Sequence, residues 1–524
     1  METTQKMAKN TFFSFMGSGI DISLAMIQSI VLARVLGADA YGSYSFYIWA
    51  ITLAGFIVNL GWGVLAQRFI AEAIGQDDRK KAAGLVRLAI VGRVIPGLLT
   101  TLVIIGISPQ LAHFFAQEKQ PIYFIIVACT LLPFTMTQMF ISICKGFQKF
   151  RYSMYFVLAS TPLRVVAQIS LAMLGFGVLP MLGVNLFSLV IGLAISVLLL
   201  NRLVPLRQLI SGAKLDTQTR ASAIKFALPV ALATGVNYIL WEKSEIVFLG
   251  HYSPSNQVGF YNLAGQIPRL SMEIMPMVFA ALLLPAISEQ FGRNDLSKLK
   301  SIYVTSARYL MLLSLPMAVM IVALADPIVN VLYGAQYEPV IALMRVMCFP
   351  RAVYAFLATG GAVIYALNKP GFAFWTAALL AALCVVLDFL LIPRFGAMGA
   401  AIGNSIPQVL MLPMYIVFVQ RTLKVPWPLG DGLRIMLASA PAGLVLYLLS
   451  NYLGPVEALC VGIPVGVLLV VGGLVLFGAV RQEDINRFDG LDELLPSRLR
   501  RTYGTLINMV GRLVRARQAL LGGV

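Results

Sequence analysis

Eleven charged side chains lie inside long apolar stretches of the chain: the bases Arg93, Arg164, Lys243, Arg269, Arg345 and Arg351, and the acids Asp21, Glu242, Glu245, Glu273 and Asp388. In hydrocarbon each costs about 2.5–3.5 kcal/mol even on a lenient insertion scale, so each needs a partner, water or a ligand. Five of the six bases are arginines, whose planar fork matches phosphate oxygens in pairs. Lining a wet cavity, they would suit a phosphate-bearing substrate.

The bases differ in how easily a local partner explains them. Arg164 falls mid-span with no acid within one turn, its best neighbour being Gln168. Arg269 stands four residues from Glu273 on one helical face, so an internal pair competes with a ligand role. Arg93, six residues inside its span, is within snorkelling reach of the interface. Arg351 and Lys243 complete the candidate substrate-binding set.

The acids point to a different chemistry. Glu242 and Glu245 share a helical face, with Lys243 directed elsewhere. Glu245 is five residues from the outer end of its span, Asp388 four from the end of its own, and Asn404 six from the start of the next. Oxygens at one depth suit a hard cation such as Na⁺, or a proton shared between acids. Arg345, six residues into its span at similar depth, offers a structural ion pair as the alternative.

The elements that must position these groups are apolar runs of about 20 residues. Fourteen are placed near 10–33, 41–66, 88–107, 121–143, 152–174, 178–200, 226–250, 260–287, 306–325, 339–366, 371–392, 398–419, 433–450 and 457–480. The composition agrees: 59% hydrophobic and 12% charged over 524 residues, against about 45–50% and about 25% in soluble domains. The expected fold is therefore an all-α polytopic membrane protein, and an ordinary soluble enzyme is excluded. The first run carries Asp21 and is too long for a signal-peptide core, so it is read as a retained span.

The net charge of +17 is a topology signal rather than a nucleic-acid footprint. Thirty-one of the 40 bases fall on the side of the N-terminus, and only Arg34, Lys119 and Arg394 on the other. This places both termini in the cytoplasm, with the chain in the inner or plasma membrane. The five cysteines sit in apolar runs, and their odd number and spacing fit neither a disulfide framework nor a zinc site. The two histidines, His113 and His251, lie in outer loops, and no phosphate-binding Gly-x-x-x-x-Gly-Lys loop occurs. Outer loops are too short for a catalytic domain. An enzyme is not expected, nor any cofactor beyond a coupling ion.

Two halves of the chain repeat. Gly42, Tyr44, Glu72, Gly75, Asp78 and Lys81 recur as Gly259, Tyr261, Glu289, Gly292, Asp295 and Lys298, all 217 residues on; Phe176, Gly177 and Asn185 recur as Phe395, Gly396 and Asn404, 219 on. Six spans return the chain to its starting side, so the copies run in the same orientation about an axis along the membrane normal. The expected parts are an N-lobe (1–212), a C-lobe (213–424), two further spans (425–480) and a cytoplasmic tail (481–524). At the 219 offset the mate of Asp388 is Ile169, which confines the acid to the second lobe.

The segments LARVLGADAYGSYSF (32–46), KFALP (225–229), EIVFLGHYSPSNQVGFYNLA (245–264), LLPAISE (283–289) and RFGAMGAAIGNS (394–405) resemble the polysaccharide and oligosaccharide flippases of the multidrug/oligosaccharidyl-lipid/polysaccharide exporter superfamily. The resemblance spans about residues 10–480. It implies a carrier moving a polyprenyl-diphosphate-linked glycan by alternating access, with cavity cations meeting the diphosphate and an ion site in the second lobe coupling transport to Na⁺ or H⁺. A glycan polymerase or export complex would be its partner. A multidrug or cation antiporter of the same superfamily and a non-transporting scaffold of glycan assembly are the alternatives.

In the tail, acids at 483–493 precede six arginines from Arg498 to Arg517, and Leu499, Tyr503, Leu506, Val510 and Leu513 form one apolar helical stripe. This predicts an interfacial helix on anionic membrane lipid.

Overall fold

A computed structural model describes residues 2–59, 61–115, 120–205, 215–241, 244–293, 295–425, 427–489 and 497–521. Its helices in chain order are α1 (Glu2–Asn59), α2 (Trp62–Gly75), α3 (Arg79–Gly106), α4 (Ser108–Phe114), α5 (Pro121–Gly146), α6 (Phe150–Met173), α7 (Val178–Leu203), α8 (Thr217–Trp241) and α9 (Ile246–Tyr252). There follow α10 (Ser255–Gly292), α11 (Leu296–Ala323), α12 (Ala325–Leu332), α13 (Pro339–Ala366), α14 (Pro370–Leu423), α15 (Leu429–Tyr452), α16 (Pro455–Leu476), α17 (Gln482–Asp489) and α18 (Ser497–Leu521). No strand occurs among the described residues.

Among the described residues eleven helices are long and apolar enough to cross a membrane, where fourteen spans were expected. Two of the eleven, 16–59 and α14, run 44 and 54 residues. At 1.5 Å per residue each is more than twice the length a ~30 Å hydrocarbon core requires. Each bends at a glycine, Gly37 (φ 77°) and Gly396 (φ 54°), and each holds two expected spans. Glycine alone adopts these left-handed angles without a Cβ penalty. The expected span 260–287 lies in α10, much of whose side-chain structure is outside the described residues.

Two boundaries differ from expectation. The span expected over 41–66 stops at Asn59, and Gly61, with φ 78°, starts the separate helix α2. In the span expected over 226–250, helix is described to Trp241, Ser244 and Glu245 form a turn, and a short helix begins at Ile246.

The chain divides into two compact units, residues 1–262 with 385–400, and 263–384 with 401–524. The first unit contains the whole first repeat together with α8, α9 and the start of α10 from the second. Small residues let its helices approach closely, as packing in lipid requires. A Cβ on Gly42 would lie 1.9 Å from the Ser255 carbonyl oxygen, and one on Gly259 3.1 Å from the Gly42 Cα. Gly42 and Gly259 are repeat mates. So are Ser45 and Asn262, and Asn262 Nδ2 donates to Ser45 Oγ at 3.2 Å. Mates that touch each other mark the local axis relating the copies.

The repeat also reuses a helix cap. Asp78 precedes α3 and accepts the Lys81 backbone N–H at 2.8 Å; its mate Asp295 precedes α11 and accepts that of Lys298 at 3.1 Å. Each satisfies one of the donors a helix start leaves open. The Ser297 hydroxyl and the Lys298 N–H hold the Asp295 carboxyl below its ordinary range.

In the second unit α11 packs on α13 and α15, and α15 on α16. The tail folds back onto this group. Val514 and Ile485 bury against Val475, with Val510 beside them. Leu513, expected on the apolar stripe, is instead exposed, while the side chains of Leu499, Tyr503 and Leu506 lie outside the described residues. Arg308, counted in the sequence as a topology charge, is buried in α11 and paired with Asp484 of α17. The Tyr309 hydroxyl donates to the same carboxylate at 3.0 Å, and the Arg481 backbone N–H at 2.8 Å. Sequence distance hid this pair: the two residues are 176 positions apart.

Candidate functional site

Two polar clusters stand in the first unit, one per repeat. In the first, Gln28 of α1, Tyr44 of α1 beyond the Gly37 bend, and Gln168 of α6 converge. Gln28 Nε2 donates to the Tyr44 hydroxyl at 3.1 Å and also to Gln168 Oε1, and the Tyr44 hydroxyl donates to Gln168 Oε1 at 3.2 Å. Gln168 Nε2 reaches the Met181 carbonyl of α7 at 3.2 Å. All three side chains are buried, so their mutual satisfaction is what makes them tolerable in an apolar surround.

Arg164 lies one turn before Gln168 and is half-buried. Its guanidinium interacts electrostatically with the Tyr44 hydroxyl. Its buried Nε has no hydrogen-bond partner among the described residues. The Asp21 carboxylate on α1 is engaged separately, by the Thr161 hydroxyl at 2.9 Å. Arg164 therefore has a guanidinium with donors to spare, beside a hydroxyl and amides.

The second cluster uses acids. Glu245 stands at the break before α9, and Asp388 on α14 eight residues before the Gly396 bend; both are fully buried. Each presents a carboxylate oxygen within 4.8 Å of the other's. The Tyr261 hydroxyl, from α10, donates to Glu245 Oε2 at 3.0 Å. Two buried carboxylates this close need compensating positive charge or a proton. Two ligand oxygens of one hard cation lie no more than about 5.2 Å apart, so the two carboxylates are close enough to share a single ion. A helix broken at buried carboxylates is also how transporters expose backbone oxygens to an ion.

The remaining sequence candidates fall elsewhere. Arg93 is 2% exposed, its two terminal nitrogens donating to the Thr135 carbonyl at 2.6 Å and to Asn59 Oδ1. It does not snorkel, because α1, α2 and α5 close around it. Arg351 is buried in α13. Arg269 is half-buried on α10, and the Glu273 side chain offered as its partner lies outside the described residues, as do Lys243 and Glu242. Asn404 is buried in the second unit, where its Oδ1 accepts from Gln408 Nε2 at 2.6 Å and its Nδ2 faces Cys384 Sγ at 3.9 Å. Arg345, offered as a neutraliser of the acids, pairs instead with Asp326.

Sequence reasoning missed Gln28, Tyr44 and Tyr261 as site residues. The signal was present: Gln28 and Glu245, like Tyr44 and Tyr261, are 217 residues apart. It also misassigned the mate of Asp388. Gln168 precedes Gly177 by nine residues and Asp388 precedes Gly396 by eight, so a one-residue slip put Ile169 in its place.

Two bent, double-length helices, a parallel repeat and one buried polar cluster in each repeat together define a two-repeat membrane transporter fold. Residues 31–342, about three fifths of the chain, match the polysaccharide biosynthesis protein family, and the chain belongs to it. Among curated relatives, Stage V sporulation protein B of Bacillus subtilis is 22% identical over 80% of this chain and 85% of its own length. The probable low-salt glycan biosynthesis flippase Agl15 of Haloferax volcanii is 19% identical over 76% and 80%. Among solved structures, the lipid II flippase MurJ in an inward closed conformation superposes with a TM-score of 0.71 at 15% identity, covering 89% of this chain and 98% of that one. An inward-facing multidrug resistance MATE transporter gives 0.64 at 16% identity, covering 78% and 99%.

Proposed function

We propose that this protein carries a lipid-linked oligosaccharide or polysaccharide precursor across the cytoplasmic membrane by alternating access, driven by a cation or proton bound between Glu245 and Asp388. Family membership supports the substrate class, and so does the naming of one relative as a glycan biosynthesis flippase. The observation that carries the reading is Arg164, a half-buried membrane guanidinium with an unpaired Nε beside amides and a tyrosine hydroxyl. Such a group meets a diphosphate through charge-assisted, forked hydrogen bonds. The excess of bases on one side supports both termini in the cytoplasm. In this reading the moving parts are the repeats, 1–212 and 213–424. The arginines of α18 hold the tail against anionic lipid, and a polymerase or export complex receives the product.

The test is flipping of a polyprenyl-diphosphate-linked glycan in proteoliposomes. Arg164→Ala should slow it by about tenfold or more, the loss of a charged hydrogen bond costing about 1.5–3 kcal/mol, and Arg164→Lys should recover part. Unchanged flipping in Arg164→Ala would sink the cationic-site reading. Export of cationic drugs without any flipping would favour the antiporter instead.

A further inference from the structure

The second unit holds an apolar groove of about 650 Å³ between α11, α13 and α15, walled by Leu315, Val319, Phe349, Ala440 and Leu444. That volume lies within the ~300–1,000 Å³ of sites that hold organic ligands. Phe349 and Leu444 are exposed there, on helices long and apolar enough to span a membrane. A groove of this lining in hydrocarbon is filled by a lipid chain, because water would find almost no hydrogen-bonding group in it.

One end of the groove is charged. Arg345 lines it and pairs with Asp326, in the first turn of α12. The Arg345 Nε donates to the Val322 carbonyl at 3.3 Å, and its guanidinium stands 5.9 Å from the ring centre of Tyr447. Both charged side chains remain accessible, at 34% and 43%. Arg345 Nη1 and Asp326 Oδ1 make no hydrogen bond among the described residues. The pair lies where α11 ends and α13 begins, beside a tyrosine, which is the headgroup level of a bilayer.

An isolated guanidinium would select an anionic headgroup. A guanidinium and a carboxylate side by side complement a zwitterion, with phosphate on the first and ammonium on the second. We infer that this groove binds a zwitterionic glycerophospholipid, one acyl chain lying between α11, α13 and α15, its phosphate on Arg345 and its amine on Asp326. The inference requires only that the chain span a membrane and is independent of the transport reading.

The full chain would be reconstituted in nanodiscs of equal phosphatidylethanolamine and phosphatidylglycerol, and the retained lipid identified by native mass spectrometry. Phosphatidylethanolamine should be retained about tenfold over phosphatidylglycerol, an ordinary difference for one charged contact. Asp326→Asn should erase that preference while keeping phosphatidylglycerol, and Arg345→Gln should lose both lipids about fivefold or more. Ala440→Phe, which fills the exposed groove without touching the charges, should displace the lipid while leaving the melting temperature within a few degrees. Equal retention of the two lipids by the native chain would overturn the inference. So would lipid persisting in Ala440→Phe, or preferential displacement by polyprenyl phosphate at equal mole fraction, which would give the groove to the carrier lipid.

Discussion

The two repeats build the same three-residue cluster from different chemistry. In the first, Gln28, Tyr44 and Gln168 close on one another as neutral donors and acceptors; in the second, Glu245, Tyr261 and Asp388 take the matching places. The repeat positions correspond, Gln28 with Glu245 and Tyr44 with Tyr261, so the difference is one of charge. The amide cluster satisfies itself and can serve as a fixed tie between α1, α6 and α7. The acid cluster instead sets two buried carboxylates side by side, and on the proposed reading these take up the coupling ion. On the proposed coupling, the exchangeable charge sits in one repeat only, a single site through which an ion gradient would act.

The largest expected effect comes from making the second cluster resemble the first. Glu245→Gln with Asp388→Asn should abolish the response of flipping to imposed Na⁺ and pH gradients. That response falls in the ~5–150-fold range of a typical coupling free energy. Gradient-driven flipping that survives the double change would remove the acids from coupling. The reverse exchange, Gln28→Glu with Gln168→Asp, should be smaller in effect. It should lower the melting temperature in choline buffer and recover part of the loss in Na⁺, since two new buried carboxylates need a counter-ion. Equal losses in both buffers would mean that geometry beyond charge defines the site.

The finest test compares the tyrosines. Tyr261→Phe removes a donor to a carboxylate and should cost about 1.5–3 kcal/mol of stability, whereas Tyr44→Phe removes a donor to an amide and should cost about 0.5–1.5 kcal/mol. Chemical denaturation in matched detergent would measure both. Equal costs would indicate that Glu245 is not ionised in the resting protein.

Much of the molecule is legible in its amino-acid order. The spans, the parallel repeat and the interest of Glu245, Asp388 and Arg164 all follow from apolar runs of bilayer length and from charges that such runs cannot hold cheaply. The errors have physical sources. Arg93 looked like a cavity base because its partners, Asn59 and the Thr135 carbonyl, are 34 and 42 residues away. Arg308 looked like a topology charge because Asp484 lies in a tail that folds back on the bundle. The tail helix has two apolar spacings, and only packing against Val475 selected Val510 and Val514 over Leu513.

The sequence by itself determined the solvent this chain requires, the repeat and the residues that hydrocarbon would not accept unaided, because transfer free energy acts residue by residue along the chain. Which charges are spent on each other and which remain for a ligand was decided only in the tertiary structure. Pairing acts over a few ångströms between helices that the chain brings together from 19 to 176 residues apart. No local pattern encodes that distance.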